Sequence, residues 1–313
     1  MKLKDYTELV TSHEETKNGF INFSIEKNKL ATPIIENINN IYQELSLVSE
    51  PSELLKRESM TPILLTASGL SDKALKHLTE KDKKEAIDAL ISNFLIPAKG
   101  NFANELIYRY LLIKGDSLGG TMRNVVGNLA QAKLVRALLD EFESNDIDYH
   151  YYLSNETKKA WRNHTIDVVG SEGFIKAISW EFEGVEKTLG FNLKVPLVRK
   201  NIDICLFECG LEAFEFGKVV NDPQKALMFG ELKGGVDPAG ADEHWKTANS
   251  ALERIRSAFK GEKEVMTSFI GAAIVNDMAK EIYNQVELRV LSKAVNLSKE
   301  EQLVEYCQWL ISL

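Results

Sequence analysis

The spacing of apolar residues changes near the midpoint of the chain, and this change constrains the fold more than any other feature of the sequence. Up to about residue 160, apolar residues recur at steps of three and four, which is typical of amphipathic helices. From about Ile166, short apolar runs predict strands at residues 165–169, 191–195, 202–207, 227–233 and 269–275. We therefore expect a mixed, helix-rich α/β fold whose first half is mainly helical.

Turn signals divide the helical half into what we expect to be short helices joined by tight loops. The strongest breaks are Pro51, Pro97 and a glycine-rich run at residues 114–120, while Ser71 is a predicted N-cap. In the second half, helices are predicted at residues 245–260, 276–286 and 298–313. The last of these opens with Ser-Lys-Glu-Glu, a capping-box pattern.

Composition excludes several classes of protein. The chain has 313 residues, of which 44% are hydrophobic, and it contains no run of about 18 apolar residues that could span a membrane. Three cysteines without a Cys-x-x-Cys pair offer neither a disulfide framework nor a zinc ribbon, so we expect a cytoplasmic protein. The net charge of -8 argues against a uniformly basic nucleic-acid coat but is compatible with a basic cleft.

Charged residues interrupt two of the predicted strands. Asp203 lies inside an apolar run, and 28 positions later a second run ends in Glu231-Leu232-Lys233. Because strand side chains alternate between faces, Glu231 and Lys233 share one face. If Asp203 lies on the neighbouring strand, the two carboxylates can bind Mg²⁺, which polarises a phosphodiester, while Lys233 holds the attacking water or stabilises developing charge.

The same residues also have a purely structural interpretation. Asp203 could lie at a strand edge, and Glu231 could pair with Lys233 across an exposed sheet face. The apolar surroundings favour chemistry, because a charge within a buried strand is costly unless it is paired or bound to a metal. The pattern of an acidic residue followed by Glu-x-Lys is that of the restriction-endonuclease-like nucleases.

A block of eighteen residues, from Gly230 to Thr247, makes this pattern more specific. Together with the preceding strand Asn-Ile-Asp-Ile-Cys-Leu-Phe and the spacing between them, it resembles the AvaI/BsoBI type II restriction endonucleases. The resemblance implies a restriction-endonuclease-like central sheet flanked by helices, with an additional helical domain. It also implies a Mg²⁺-dependent homodimer that encircles double-stranded DNA and cuts the palindrome CYCGRG after the first C.

The resemblance assigns roles to residues of this block. Asp203 and Glu231 correspond to the metal carboxylates, Lys233 to the catalytic lysine, and His244 to an active-site histidine that can orient the water or take its proton. Without the resemblance, a lone histidine just before a helix is more often a cap or a packing residue. Asp237 fits two interpretations: an Asx turn that leads into the following proline, or a contact with cytosine N4 in the major groove.

Basic residues supply the remaining candidate DNA contacts. Lys73 is a candidate for a second base contact, since lysine can donate to guanine, although a solvated surface position explains it as well. Arg123 follows the glycine-rich run, which we interpret as a turn into a helix start that forms either a DNA-backbone clamp or a structural turn. It is not a nucleotide P-loop. Further candidate backbone contacts are Lys194, Arg199, Lys200, Lys246, Arg254, Arg256 and Lys260.

These patterns predict three regions and one leading function. Residues 1–50 are expected to form N-terminal helices that pack on the catalytic domain, residues 51–135 a helical domain, and residues 136–313 the catalytic α/β nuclease domain. The leading hypothesis is a type II restriction endonuclease without a membrane segment or nucleotide cofactor. The alternatives are another nuclease of the same core fold, with a different site or a repair role, and a non-catalytic DNA-binding protein.

Overall fold

The computed structural model describes residues 3–156, 160–164, 168–215 and 219–313. The chain divides into two compact units, of which the first comprises Met1–Phe20 and Val125–Leu313 and the second Ile21–Asn124. Among the described residues, no helix combines the length and the hydropathy needed to cross a membrane.

The described residues form helices and strands in the order that the sequence predicts, with helices first. The helices are α1 (His13–Leu45), α2 (Thr61–Ala67), α3 (Asp72–Leu75), α4 (Glu80–Leu90), α5 (Phe102–Ser144), α6 (Leu211–Glu215), α7 (Pro238–Phe259), α8 (Asn276–Glu287) and α9 (Glu300–Ser312). The strands are β1 (Tyr149–Leu153), β2 (Arg162–Asn163), β3 (Ile175–Phe182), β4 (Val185–Val195), β5 (Lys200–Phe207), β6 (Ala226–Lys233), β7 (Met266–Gly271) and β8 (Lys293–Asn296).

The strands of the first unit form one open mixed sheet. Its order is β2-β1-β3-β4-β5-β6-β7-β8, with antiparallel pairing from β2 to β6 and parallel pairing from β6 to β8. Helix α7 connects β6 to β7 and helix α8 connects β7 to β8, as parallel neighbours require a crossover connection. The strands predicted at residues 191–195, 202–207 and 227–233 are confirmed within β4, β5 and β6.

Helices cover both faces of this sheet. On one face, Trp245 of α7 and Met278 of α8 are buried in a core that includes Phe229 of β6. On the other face, Leu134 of α5 and Tyr306 of α9 are buried in a second core. The helical periodicity read from the sequence is therefore the pattern that seats each helix on a sheet face.

The second unit has a core of its own, built from helices and the turns between them. Residues buried in this core come from the end of α1, from α2, from α4 and from the first turns of α5, as shown by Ile41, Leu64, Leu90 and Leu106. Ser71 caps α3 as predicted, accepting a hydrogen bond from the backbone N–H of Ala74 at 3.2 Å. The predicted helical texture of this part of the chain is confirmed.

The prediction of short helices with a glycine turn at residues 114–120 is wrong. Those residues lie inside α5, a continuous helix of 43 residues. Each helical glycine costs about 1 kcal/mol relative to alanine, but no proline interrupts the segment. Leu106 and Leu134 are fully buried on either side of the run, so packing at both ends holds the glycines in the helix.

Several other boundaries differ from the predictions. Helix α7 begins at Pro238 rather than at residue 245, because Asp237 caps it and the proline occupies its first turn. Strand β7 ends at Gly271 rather than at residue 275. Ser298 does not form the predicted capping box; the N-cap of α9 is Lys299, and the Ser298 hydroxyl donates to the carbonyl of Ala272 instead.

Four strands, β1, β2, β3 and β8, were not predicted, and one prediction is only partly testable. Of the strand expected at residues 165–169, residues 165–167 lie outside the described residues, and Val168 and Val169 do not lie in a strand. Strand β1 is rich in tyrosine, and its neighbour β3 is buried along most of its length. Neither shows the clean alternation that identifies a strand from sequence.

Candidate active site

The carboxyl-terminal end of β6 brings together the two acidic residues and the lysine that the sequence singled out. Ile204 of β5 lies opposite Gly230 of β6, and Asp203 and Glu231 each lie one residue beyond this pair. Oδ2 of Asp203 accepts hydrogen bonds from the backbone N–H of Leu232 at 2.9 Å and from Nζ of Lys233 at 3.2 Å. Lys233 Nζ also donates to Oε2 of Glu231 at 2.6 Å.

The alternation of the strand produces this arrangement. Phe229 is buried in the core beneath α7, whereas Met228 is buried in the core on the opposite face, and Leu232 packs against that opposite core. Glu231 and Lys233 therefore share a face of the sheet, as the spacing predicted. Their connection through Asp203 also rules out the simpler interpretation of an isolated surface ion pair.

Burial sets the charge state of this cluster. The side chain of Glu231 is only 7% exposed, compared with 23% for Lys233 and 28% for Asp203. Burial and the neighbouring charge of Asp203 raise the pKa of Glu231 to about 7. Burial opposes the charged form of Lys233, but the charges of Asp203 and Glu231 outweigh that effect and raise the pKa of its ammonium group.

The cluster fits a hard divalent cation. With both carboxyl groups ionised, two negative charges face one ammonium group, so the partly buried cluster carries an uncompensated negative charge. Its donors toward a metal are carboxylate oxygens, which Mg²⁺ prefers. Within the described residues, no group of three or more His, Cys, Asp or Glu side chains is placed to hold a metal. Two carboxylates suit Mg²⁺, which commonly keeps several waters.

Glycines on either side of the cluster allow neighbouring elements to approach closely. A Cβ on Gly234 would lie 2.6 Å from the carbonyl oxygen of Val126 and 2.7 Å from Cβ of Ala130, both on α5. A Cβ on Gly230 would lie 2.6 Å from Oγ of Ser268 on β7. Any larger residue would push the chain away from α5 or β7, so these glycines help to place β6 and the loop that follows it.

His244 lies near the cluster but does not join it. The residue is exposed and lies in the second turn of α7, not before a helix as the sequence suggested. Its Nε2 atom would be 3.1 Å from a Cβ built on Gly235, so the imidazole stands over the loop that follows Lys233. Among the described residues, no hydrogen bond connects His244 with Asp203, Glu231 or Lys233.

Asp237 forms the structural contact that its position suggested. Its Oδ1 atom accepts a hydrogen bond from the backbone N–H of Ala239 at 2.9 Å, which caps α7. The residue is exposed, and in the described part of the chain its Oδ2 atom has no hydrogen-bond partner. Asp237 is thus a helix cap whose second carboxylate oxygen is available to a ligand.

The candidate DNA contacts outside the cluster occupy exposed positions. Lys73 lies on α3 in the second unit, and Arg123 lies in the middle of α5. The predicted helix start beside Arg123, interpreted as a DNA-backbone clamp or as a structural turn, is wrong, because α5 has no terminus there. Lys246 on α7 forms an ion pair with Asp242 at 2.5 Å, and the hydrogen bond that its ammonium group donates to the Asp242 carboxylate raises the pKa of Lys246.

One of the other basic candidates is engaged within the protein. Arg256 is half-buried and donates from Nη1 to the hydroxyl of Thr267 at 3.3 Å, while burial lowers the pKa of its guanidinium group. It packs between α7 and β7 and is a poorer candidate for a backbone contact than the exposed Lys194, Arg199, Lys200, Arg254 and Lys260.

Residues of the N-terminal segment that contact the ends of β6 and β7 were not predicted. Thr11 and Gly19 are more than 200 positions from the residues they touch, Ala272 and Val236. A buried asparagine, Asn296, interrupts the apolar run of β8 in the same way that Asp203 interrupts β5. That interruption was the available signal, but the sequence does not show which backbone groups the asparagine binds.

The fold and the cluster define a class of protein. An open mixed sheet flanked by helices, with an aspartate and a Glu-x-Lys motif on adjacent strands, is the architecture of restriction-endonuclease-like nucleases. The model of the family described as restriction endonuclease BsobI matches residues 1–313. The chain therefore belongs to this family and is a type II restriction endonuclease, a site-specific deoxyribonuclease.

Curated relatives agree with this assignment along the whole chain. The type II restriction enzyme BsoBI of Geobacillus stearothermophilus is 50% identical over 314 aligned positions, which cover 99% of this chain and 97% of that protein. The type II restriction enzyme AvaI of Nostoc sp. is 44% identical over 307 positions, which cover 98% of this chain and 96% of that protein. The AvaI enzyme of Anabaena variabilis matches to the same extent.

Proposed function

We propose that the enzyme hydrolyses phosphodiester bonds in double-stranded DNA with Mg²⁺, at the palindrome CYCGRG and after its first C. The observation that carries this proposal is the cluster of Asp203, Glu231 and Lys233 at the end of β6. The family assignment supports a DNA substrate, and the resemblance of residues 230–247 to the AvaI/BsoBI enzymes supports the particular site.

The carboxylates of Asp203 and Glu231 are the residues that would hold the metal. When bound, Mg²⁺ supplies Lewis-acid polarisation of the scissile phosphate. Both carboxylates already share Lys233 Nζ, so their oxygens converge on one point of the sheet end. Burial of Glu231 favours its neutral form, and Lys233 and a divalent cation both favour the ionised form that binds metal.

Lys233 is the catalytic residue with a positive charge. Its raised pKa keeps the ammonium group protonated at neutral pH, so Lys233 acts as a hydrogen-bond donor and not as a base. It can orient the attacking water or donate to the phosphate oxygens that gain negative charge in the transition state. The two carboxylates hold its ammonium group in place, which limits the reorganisation required during the reaction.

The other candidate residues have proposed roles around this centre. His244, exposed above the loop after Lys233, is proposed to orient the water or to take its proton. Asp237 is proposed to accept a hydrogen bond from cytosine N4 through its second carboxylate oxygen, and Lys73 to donate to guanine. Arg123 and Lys246 are proposed to contact the DNA backbone, for which Lys246 would exchange Asp242 for a phosphate.

The symmetry of the site suggests the assembly. A palindrome is matched by a two-fold homodimer in which each subunit cuts one strand, and we propose such a dimer encircling the DNA. Residues 136–313 are proposed as the catalytic domain, residues 51–135 as the helical domain and residues 1–50 as N-terminal helices that pack on the catalytic domain. The activity needs no nucleotide cofactor, and we place it in the cytoplasm.

Digestion of a sequenced plasmid, with sequencing of the cut ends, tests the proposal. Purified enzyme is incubated with the plasmid in Mg²⁺ or in EDTA. We expect discrete ends at CYCGRG, after the first C, in Mg²⁺ only. Discrete ends at another sequence would overturn the proposed site while keeping the nuclease, and cleavage in EDTA would overturn the metal requirement.

A further inference from the structure

The N-terminal segment contacts the loop that follows β7. The backbone N–H of Thr11 donates to the carbonyl of Ile274 at 2.9 Å. The Thr11 hydroxyl donates to the carbonyl of Ala272 at 3.2 Å and accepts from the backbone N–H of Ile274 at 2.9 Å. Three hydrogen bonds made by one residue thus tie Ala272 and Ile274 of this loop to the N-terminal segment.

This loop is hydrogen-bonded to the main chain of the catalytic lysine, Lys233. The backbone N–H of Ala272 donates to the carbonyl oxygen of Lys233 at 2.8 Å, which extends the parallel pairing of β6 and β7. The carbonyl of the same residue, Ala272, receives the Thr11 hydroxyl. A single residue therefore separates the Thr11 hydroxyl from the main chain of Lys233.

A buried amide completes the Thr11 contact. Asn296 has no exposed surface, and its Nδ2 atom donates to the Thr11 hydroxyl and to the carbonyl of Leu9, both at 2.8 Å. Its Oδ1 atom accepts from the backbone N–H of Ser298 at 2.8 Å. The Thr11 hydroxyl therefore donates one hydrogen bond and accepts two, which uses its full capacity and fixes its position.

A second contact reaches the other side of Lys233. Gly19, in the second turn of α1, lies so close to Val236 that a Cβ on Gly19 would be 2.9 Å from Cγ1 and 3.0 Å from Cβ of the valine. Val236 lies between Lys233 and Asp237 in the loop that leads into α7. Glycine is unfavourable within a helix, so the close approach to Val236 accounts for its presence here.

We propose that Thr11 and Gly19 are positioning residues for DNA cleavage, setting from two sides the main chain that carries Lys233 and leads to Asp237. The proposal rests on the proposed nuclease function. Thr11 holds the residue after β7, Ala272, that is hydrogen-bonded to the Lys233 carbonyl. Gly19, which has no side chain, leaves room for Val236 and so allows the loop after Lys233 to adopt its conformation. A displacement of about 1 Å at a reacting group can lower a rate about 100-fold, so these contacts affect chemistry without touching DNA.

Matched variants test each contact. Thr11→Val removes the hydroxyl and keeps the shape, whereas Thr11→Ser keeps the hydroxyl. Gly19→Ala inserts a methyl group against Val236, whereas Gly127→Ala makes the same change in α5 where nothing lies within 4 Å. The readout is the rate constant for cleavage of a duplex bearing CYCGRG with enzyme in excess, which does not depend on the fraction of enzyme that is folded. Thermal midpoint and duplex binding with Ca²⁺ are measured in parallel.

We expect the rate constant of Thr11→Val and of Gly19→Ala to fall about 10- to 100-fold, with folding and DNA binding preserved. Thr11→Ser and Gly127→Ala are expected to stay within about twofold of wild type. A wild-type rate constant for Gly19→Ala would overturn the proposal, as would equal rates for Thr11→Val and Thr11→Ser. If Thr11→Val fails to fold, the rate constant of Gly19→Ala alone tests the proposal.

A double variant separates positioning from a general loss of packing. Val236→Ala removes Cγ1, the atom nearest to the new Cβ, together with Cγ2, and leaves only the contact with Cβ of residue 236. Gly19→Ala should therefore slow cleavage less in that background than in wild type. Equal effects in both backgrounds would contradict the proposed contact. If the wild-type enzyme itself fails to cut any duplex, the proposed function falls, an outcome distinct from wild-type cleavage by the variants.

Discussion

Nζ of Lys233 lies 2.6 Å from Oε2 of Glu231, and this glutamate is almost fully buried. The contact joins the positive group of the site to a carboxylate whose charge the surrounding core disfavours. Because Asp203 shares the same ammonium group, the three side chains form one electrostatic unit. A metal or a substitution that changes the charge of one of these side chains therefore shifts the pKa values of the other two.

Because Glu231 is buried, we predict that its ionisation lowers the free energy of unfolding of the metal-free enzyme as pH rises. The pKa of this carboxyl group is about 7 in the folded protein and 4.5 as its reference value. Because the carboxyl group ionises more readily in the unfolded chain than in the folded protein, the folded state is favoured most below pH 4.5, where the group is protonated in both states. That part of the stability is lost as pH rises from 4.5 through 7. Glu231→Gln should therefore be more stable than wild type at pH 8, by on the order of 1 to 3 kcal/mol, and close to it near pH 4.5.

Urea unfolding in EDTA across this pH range measures the difference. Glu262→Gln, which neutralises an exposed glutamate, is the matched control and should differ from wild type by less than about 0.5 kcal/mol throughout. A stability difference between Glu231→Gln and wild type that stays constant from pH 4.5 to 8 would contradict the assigned effect of burial.

The two roles of Asp237 can be separated by the residue that replaces it. Asp237→Ala should lose the cap of α7, costing about 1 kcal/mol of stability, whereas Asp237→Ser keeps an N-cap acceptor and should stay near wild type. If Asp237 also reads cytosine, both variants should lose about 1 to 3 kcal/mol of discrimination against a changed base pair. Cleavage of cognate and singly substituted duplexes measures this, and full specificity in Asp237→Ser would refute the base contact.

The helical state of the glycine-rich run predicts stabilisation by alanine. A Cβ at Gly119 or Gly120 meets nothing within 4 Å, and both residues lie inside α5. Gly119→Ala and Gly120→Ala should each raise the free energy of unfolding by about 0.5 to 1 kcal/mol. Urea denaturation tests this directly. Destabilisation by more than 1 kcal/mol would instead indicate the glycine turn that the sequence suggested.

Strands β5 and β6 were predictable because their sequence pattern and their environment agree. Short apolar runs identified β5 and β6, and the charges of Asp203, Glu231 and Lys233 stood out against them. The structure confirms that the three side chains meet. The roles of His244, Asp237, Lys73, Arg123 and Lys246 remain predictions.

The failed predictions share a physical cause: at each of these positions, tertiary contacts determine the local structure and override the local sequence signal. The glycines of α5 signal a turn locally, yet buried residues on either side keep the helix continuous. Ser298 fits a capping box locally, yet its hydroxyl binds Ala272. Thr11 and Gly19 carry no local signal, because their partners lie more than 200 residues away.

The central claim is that the cluster of Asp203, Glu231 and Lys233 performs the cleavage. The most direct measurement compares wild type, Asp203→Asn and Lys233→Met in single-turnover cleavage of a duplex with one CYCGRG site. Binding of the duplex in Ca²⁺ and the thermal midpoint are measured on the same preparations. We predict that each variant binds the duplex and remains folded but cuts it about 1000-fold more slowly or worse. Cleavage by either folded variant within about tenfold of wild type would contradict the assignment.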